Sequence, residues 1–352
     1  GKSTLFNALT QTKAAQAANY PFCTIEPNTG MVAVPDARLY VLQDIVKTQR
    51  VIPTQLELVD IAGLVKGASK GEGKGNAFLA AIKNVDAILH VVRCFEDPNI
   101  IHVDGSIDPV RDIETIDTEL MLKDLETVEK RRERTVKMVR AGDKNAKAEI
   151  DVIERLEAHI GAGETARTME TTDAEAEIVR EMFLLTAKPV LYAANVAETD
   201  LPDGNAAVDR VRERAEAEGA GVVVISAEFE AQLSEIPKED RAEFLASAGE
   251  DENGLTRLVR SAYALLGLIT YFTAGPKESR AWQIRQGTKA PQAAGVIHTD
   301  FEKGFIRAEV ATYDDFIKHK GEKGCREVGK LRAEGKDYVV QDGDVMHFLF
   351  AK

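Results

Sequence analysis

The sequence predicts an α/β fold: a P-loop nucleotide-binding domain interrupted by a helical coiled-coil insertion, then a small α+β domain. Three observations predict it. Gly1-Lys2-Ser3-Thr4 opens the apolar helical run Leu5-Phe6-Asn7-Ala8-Leu9, the ending of a GxxxxGK[ST] phosphate loop. The strand-like Leu56-Glu57-Leu58-Val59 delivers Asp60-Ile61-Ala62-Gly63, and a carboxylate at a strand end is where a P-loop enzyme keeps its second metal-side group. Apolar runs at 86–92, 188–194 and 221–225 have the character of strands buried in a sheet.

In the phosphate loop, backbone N–H groups at a helix N-terminus surround the phosphates. The lysine, Lys2, reaches the β/γ-phosphates, and the first hydroxyl, that of Ser3, holds Mg²⁺. Such a loop needs a strand before it, so that strand and the earlier loop glycine are expected to precede Gly1. Asn19-Tyr20-Pro21-Phe22-Cys23-Thr24-Ile25-Glu26-Pro27-Asn28 is a loop by its prolines. Thr24 lies 22 residues after Lys2, where a first switch closes over Mg²⁺ and the γ-phosphate; an ordinary loop threonine is the plainer alternative.

Residues 31–34 form a short strand, and Pro35-Asp36 starts a helix through about Val46. Residues 63–76 carry five glycines, a loop that orders on ligand binding rather than a packed element. Leu64 follows DxxG, where Ras-like enzymes place a glutamine that orients the attacking water. Leucine makes no hydrogen bond, so water is placed by another group or by a partner. His102, in Asn99-Ile100-Ile101-His102-Val103, is the candidate; a structural histidine is the plainer alternative.

From 107 to 187 the character changes. Ile113, Ile116, Leu120, Leu125 and Val128 make one apolar stripe, Gly142-Asp143-Lys144-Asn145 a turn, and Ile150, Ile153, Leu156 and Ile160 a second stripe. This is a long antiparallel helical hairpin whose charge runs are solvated faces or a partner-docking surface. A third helix over 175–185 leads back to the sheet.

The strand at 188–194 ends in Asn195-Val196-Ala197-Glu198. GTPases carry Asn-Lys-x-Asp here, with the aspartate accepting from guanine N1–H and the 2-amino group. With Val196 for lysine and Glu198 for aspartate, guanine recognition is weakened and adenine becomes possible. The strand at 221–225 ends at Ser226-Ala227, a turn able to offer backbone groups to a base. A helix over 252–266 closes the domain. Beyond Gly267 come short period-two strands and turns without a catalytic cluster, Trp282 reading as core or ligand edge.

The 352 residues suffice for two or three domains, and 44% hydrophobic content supports globular cores. No run approaches the roughly 18 apolar residues of a membrane span. Three scattered cysteines suggest a reducing compartment and no disulfide scaffold. A net charge of −13 argues against indiscriminate nucleic-acid binding, although from Leu268 onward 14 Lys and Arg stand against 12 Asp and Glu.

Together GKSTLFNALT, NYPFCTIEPN, DIAGLVKGASKGEGKGN, HVVRCFEDPNIIHV, NVAE and the tail (TYFTAGPKESRAW, KAPQAAGVIHTDFEKGFIRAEV, AEGKDYVVQDGDVMHFLF) resemble the YchF/Obg-like ATPase family. The resemblance runs along nearly the whole chain and weakens in the hairpin and over about 200–253. It implies a P-loop NTPase (Ras-like, OBG-type G) domain over 1–106 and 188–267, a helical insertion over 107–187, and an α+β TGS (β-grasp-like) domain over 268–352. It implies ATP preferred over GTP, Mg²⁺, slow hydrolysis, and a cytoplasmic protein that associates with ribosomes and stress responses, touching rRNA through the TGS or helical domain. By position, Gly1, Lys2, Ser3 and Thr4, with Asp60 and Gly63, attend the phosphates. Ser3 and Thr24 ligate Mg²⁺, and Asn195, Val196, Glu198, Ser226 and Ala227 attend the base. Leu64 fits the family's apolar replacement of the catalytic glutamine and His102 its substitute. Because the loop's start is missing, the polypeptide is expected to bind nucleotide poorly or not at all. An Obg-type GTPase, and a ribosome-binding module with a vestigial nucleotide site, are the alternatives.

Overall fold

A computed structural model describes residues 1–11, 29–61, 79, 81–98 and 105–351. The chain forms two compact units, Gly1–Gly30 with Leu58–Leu258, and Met31–Glu57 with Val259–Lys352. After the opening helix Lys2–Gln11, β1 (Thr29–Ala33) pairs with β3 (Gln55–Val59) in a two-stranded sheet; β2 (Val51–Ile52) lies between them in sequence.

In the first unit β4 (Ile88–Arg93), β5 (Val190–Asn195) and β6 (Gly221–Ile225) form a parallel sheet in that order. β5 is central, and all six of its residues are buried, which is why it reads as an unbroken apolar run. Val190, Tyr192, Ala194 and Val224 pack against Val208, Val211 and Ala215 of the helix Ala206–Glu218 and Ile113 of the helix Pro109–Arg140. The crossover from β4 to β5 is the expected hairpin. Asp108 caps Pro109–Arg140 by accepting from the Val110 and Arg111 amides, and Asp143 caps Lys144–Gly161 by accepting from Asn145 and Ala146. Gly142 turns the chain between them with φ +89°. The third helix, Asp173–Glu181, starts on a Thr172–Glu175 capping box and stops short of the expected residue 185.

The hairpin is fixed to the sheet by buried polar groups. Asp124, 1% exposed, accepts from Leu185 N (2.7 Å), Thr186 N (2.7 Å) and Thr186 Oγ1 (2.6 Å). Arg167 reaches Asp117 at 3.2 Å and Glu218 at 2.7 Å, with all three side chains below one-tenth exposed.

The second unit holds β7 (Leu268–Ala274), β8 (Ser279–Arg285), β9 (Phe305–Ala311), β10 (Arg332–Glu334) and β11 (Val345–Phe350). The sheet order is β10-β9-β11-β7-β8-β2. β7 and β11 are parallel, as are β2 and β8; the other pairs are antiparallel. Strand alternation divides its core: Tyr271, Ile284 and Phe348 join Ala290, Ala293 and Ala294, while Phe272, Ala281 and Val345 join Leu39 and Leu42. The helix Ala37–Val46, capped by Asp36, therefore packs with the C-terminal residues. A single boundary near residue 267 cannot express that grouping, because the two segments are distant in sequence. Four short helices, Ala290–Ile297, Thr299–Lys303, Tyr313–Lys318 and Glu322–Glu327, lie where strands and turns were expected. Their lengths of 5–8 residues are too short for a 3.6-residue period to stand out.

Glu230, on the helix Ala227–Glu235 after β6, is 3% exposed. Its Oε1 accepts from Gly254 N at 2.8 Å, and its Oε2 has no hydrogen-bond partner among the described residues. Burial raises its pKa from 4.5 to about 7, against the pull of the Gly254 amide and Arg257. The folded state thus favours the protonated acid. The stability this contributes is complete below the ordinary value and is lost as pH rises through 7. Glu230→Gln should remove that loss, gaining about 1–3 kcal/mol over the parent at pH 8 and nothing at pH 4. Urea titrations of both proteins across that range check it; parallel stability curves would contradict it.

Candidate nucleotide-binding site

The three parallel strands place Arg93, Asn195 and Ile225 in register at their C-terminal ends, the edge at which open α/β sheets bind ligands. There the helix Lys2–Gln11 begins, with Leu5 N donating to Gly1 O at 2.8 Å. The amides at the start of its first turn lack intrahelical acceptors and suit an anion. Gly1, Ser3 and Thr4 are exposed, whereas Leu5, Ala8 and Leu9 anchor the helix in the interior.

Lys2 Nζ donates to the Asp60 carboxylate and, at 2.7 Å, to Ile61 O. Residues 58 positions apart in sequence are thus joined, as the pairing of GKST with DxxG requires. The pair is open, with Lys2 and Asp60 side chains 40% and 24% exposed, so both remain accessible to a ligand.

Asn195 is only 5% exposed. Its Oδ1 accepts from Ala227 N at 2.8 Å. A Cβ built on Gly1 would stand 3.1 Å from Asn195 Nδ2, so glycine permits the phosphate loop's close approach. Asn195 therefore stands between the helix start and the Ser226-Ala227 turn, its carboxamide oxygen engaged by that turn. Val196, 3% exposed, lies in the core with Val92, Cys94 and Val208. Of the NxxE residues, Glu198 alone is exposed, at the start of the short turn Glu198–Asp200. Ser226, 1% exposed, accepts from Phe229 N through its Oγ as the N-cap of its helix. Ala227 offers its backbone N–H to Asn195. Thr24, Gly63, Leu64, His102 and the glycine-rich span 63–76 lie outside the described residues.

Sequence reasoning passed over Arg93. Its Nε donates to Phe95 O at 3.1 Å and its Nη2 to Asp97 O at 3.3 Å, with the guanidinium 4.8 Å from the Phe95 ring centroid. It fixes the exit of β4 beside Asn195. Its one available signal was a cation ending an otherwise apolar strand. In the second unit Trp282 donates from Nε1 to Thr273 Oγ1 at 2.9 Å beneath the Arg280 guanidinium. It lines a concavity of about 670 Å³ with Ile297, Phe301 and Phe348; no phosphate-site group lines it.

The donor set fits a Mg²⁺–triphosphate. An amide-bearing helix start and Lys2 supply positive charge, exposed Ser3 and Thr4 supply hydroxyl oxygens, and Asp60 supplies a hard carboxylate. Among the described residues no helix is long and apolar enough to cross a membrane.

The model of the 50S ribosome-binding GTPases matches residues 1–133, and the C-terminal model of the YchF GTPases matches residues 268–351. The chain is 56% identical over 350 residues to the ribosome-binding ATPase YchF of Haemophilus ducreyi, covering 99% of this chain and 96% of that protein. It is 52% identical over 352 residues to that of Bacillus subtilis, with the same coverage. It is 44% identical over 353 residues to the Obg-like ATPase 1 of rice, Oryza sativa subsp. japonica, covering 99% of this chain and 89% of that one. The solved Schizosaccharomyces pombe YchF GTPase superposes with a TM-score of 0.90 at 41% identity, covering 99% and 94% of the two chains. A GTP binding protein from Pyrococcus horikoshii, at 20% identity and a TM-score of 0.61, shares the fold. The joined GKST and DxxG elements, the buried asparagine beneath them and full-length identity above one half place this chain in the YchF family of P-loop NTPases.

Proposed function

We propose that this protein is a ribosome-associated ATPase that hydrolyses ATP slowly with Mg²⁺ and regulates translation from the cytoplasm. The observation that carries it is Lys2 held between Asp60 and the Ile61 carbonyl at the start of a helix. A triphosphate supplies oxygens that compete for that amine, while the helix amides receive the remaining charge. Bound Mg²⁺ would neutralise β/γ-phosphate charge, with Ser3 and Thr24 as its ligands. Gly63 would stand beside the γ-phosphate, Leu64 would leave the attacking water unoriented, and His102 would take that role. Slow turnover follows from an apolar residue at the glutamine position.

The preference for ATP rests on the rim. The Asn195 carboxamide oxygen is taken by the Ala227 amide, and Val196, packed with Val92, Cys94 and Val208, supplies no cationic stem to lie along guanine. Glu198 is longer by one methylene than the aspartate that pairs with guanine. Relatives are named both ATPase and GTPase, so the test measures steady-state release of phosphate from ATP and GTP, with and without Mg²⁺. ATP should give the higher kcat/KM, with loss of turnover on removing Mg²⁺; faster GTP turnover would favour the Obg-type reading. Ribosome co-sedimentation that ignores nucleotide would favour a vestigial site.

A further inference from the structure

We propose that the turn end of the helical hairpin is the chain's RNA-docking surface, gripping ribosomal RNA through its phosphates. The inference rests on the ribosome association proposed above and names the surface responsible.

Charge is segregated along the hairpin. Residues 112–129 carry seven acids against one lysine, whereas residues 130–147 carry eight Lys and Arg against two acids. That basic block sits on a chain of net charge −13. Part of it is structural: Arg131 pairs with Glu149 and Glu181, and Arg132 with Glu157. The other six, Lys130, Arg134, Lys137, Arg140, Lys144 and Lys147, are all exposed, and among the described residues none has an acid within ion-pair distance. They straddle the turn at Gly142, on the last three turns of one helix and the first turn of the next.

Helix stability does not account for them. Lys137 and Arg140 complement the negative end of the first helix. Lys144 and Lys147, however, occupy the start of the second helix, whose opening turn has no acid and where the dipole disfavours cations by about 0.3–1 kcal/mol each. A pattern that costs stability and concentrates like charge is suited to a polyanion. The shape agrees: a helix of 32 residues extends about 48 Å at 1.5 Å per residue. Its acidic root is repelled by phosphate and its basic end attracted, so orientation is set before contact. None of the exposed large apolar residues falls in 130–147, so the end lacks the anchor a membrane surface calls for.

The test uses the full chain with Lys130, Arg134, Lys137, Arg140, Lys144 and Lys147 all changed to glutamine, beside a control exchanging lysine and arginine at those positions. Binding to intact ribosomes, to a protein-free ribosomal RNA duplex and to anionic phospholipid vesicles is measured between about 50 and about 200 mM salt. The glutamine variant should lose at least about tenfold in RNA and ribosome affinity, and its slope of log K against log salt should flatten by several units. The control should bind as the parent does, and ATP turnover without ribosomes should be unchanged in both. Unchanged affinity and slope on RNA and ribosomes would overturn the proposal, as would a loss confined to vesicles. A parent protein that ignores ribosomes yet binds the duplex through these residues would refute the ribosome reading while supporting this surface.

Discussion

Lys2→Ala should reduce ATP turnover by about 10²–10³-fold while leaving the fold intact, because the two consequences of losing this amine differ greatly in size. For stability, Lys2 makes an ion pair whose partners are 40% and 24% exposed; such pairs are worth about 0–1 kcal/mol. For catalysis, the same amine stands on the first turn of the opening helix and meets Asp60. Removing a group aimed at developing charge costs about 2.7–4 kcal/mol of transition-state stabilisation. Saturating-substrate phosphate release with Mg²⁺, read beside a melting curve, separates the effects. Turnover within threefold of the parent would deny Lys2 its role, and a large fall in melting temperature would show that the pair is structural. Lys2→Arg should not rescue fully, since a planar fork does not occupy the position of a compact ammonium.

Arg167→Met should destabilise the first unit by about 3–5 kcal/mol, the cost of breaking a buried ion pair by removing one partner. Asp117 and Glu218, 5% and 3% exposed, would face each other with only Arg214 left to serve both. Burial already pushes the Asp117 carboxyl up, and Arg167, ahead of Arg214, opposes it. Because Arg167 follows the hairpin, Asp117 lies on its first helix and Glu218 ends the helix packed on β5, the loss should loosen the insertion from the sheet. Urea unfolding gives the magnitude, and amide exchange at Leu185 and Thr186, whose N–H groups Asp124 holds, gives the location. A change below 1 kcal/mol would mean water or Arg214 fills the gap.

The sequence was most legible where one rule acted alone. β6 spans the same five residues as its apolar run, and Asp36 caps the helix it was expected to start. It was least legible where tertiary contact decides. Nothing local in Leu39 or Leu42 announces packing against Phe272 and Val345, and the network of Asp117, Arg167 and Glu218 joins charges that look like ordinary surface residues in sequence. At the site, Lys2 and Asp60 were legible because the chemistry fixes both residue types. Asn195 was legible as a residue but not as a partner of the turn after β6, since the Ala227 amide from which it accepts comes from another strand's exit. The hairpin showed its period and its charge, but only the helix ends showed which cations gather at one turn.

The reading of this protein as an adenine-selective P-loop switch is tested most directly by displacing a labelled ATP from the full-length protein with unlabelled ATP and GTP in the presence of Mg²⁺. Adenine selectivity predicts that ATP displaces at the lower concentration and that Glu198→Asp combined with Val196→Lys narrows the gap. Displacement by GTP at about a hundredth of the ATP concentration, a difference of about 2.7 kcal/mol, would contradict it.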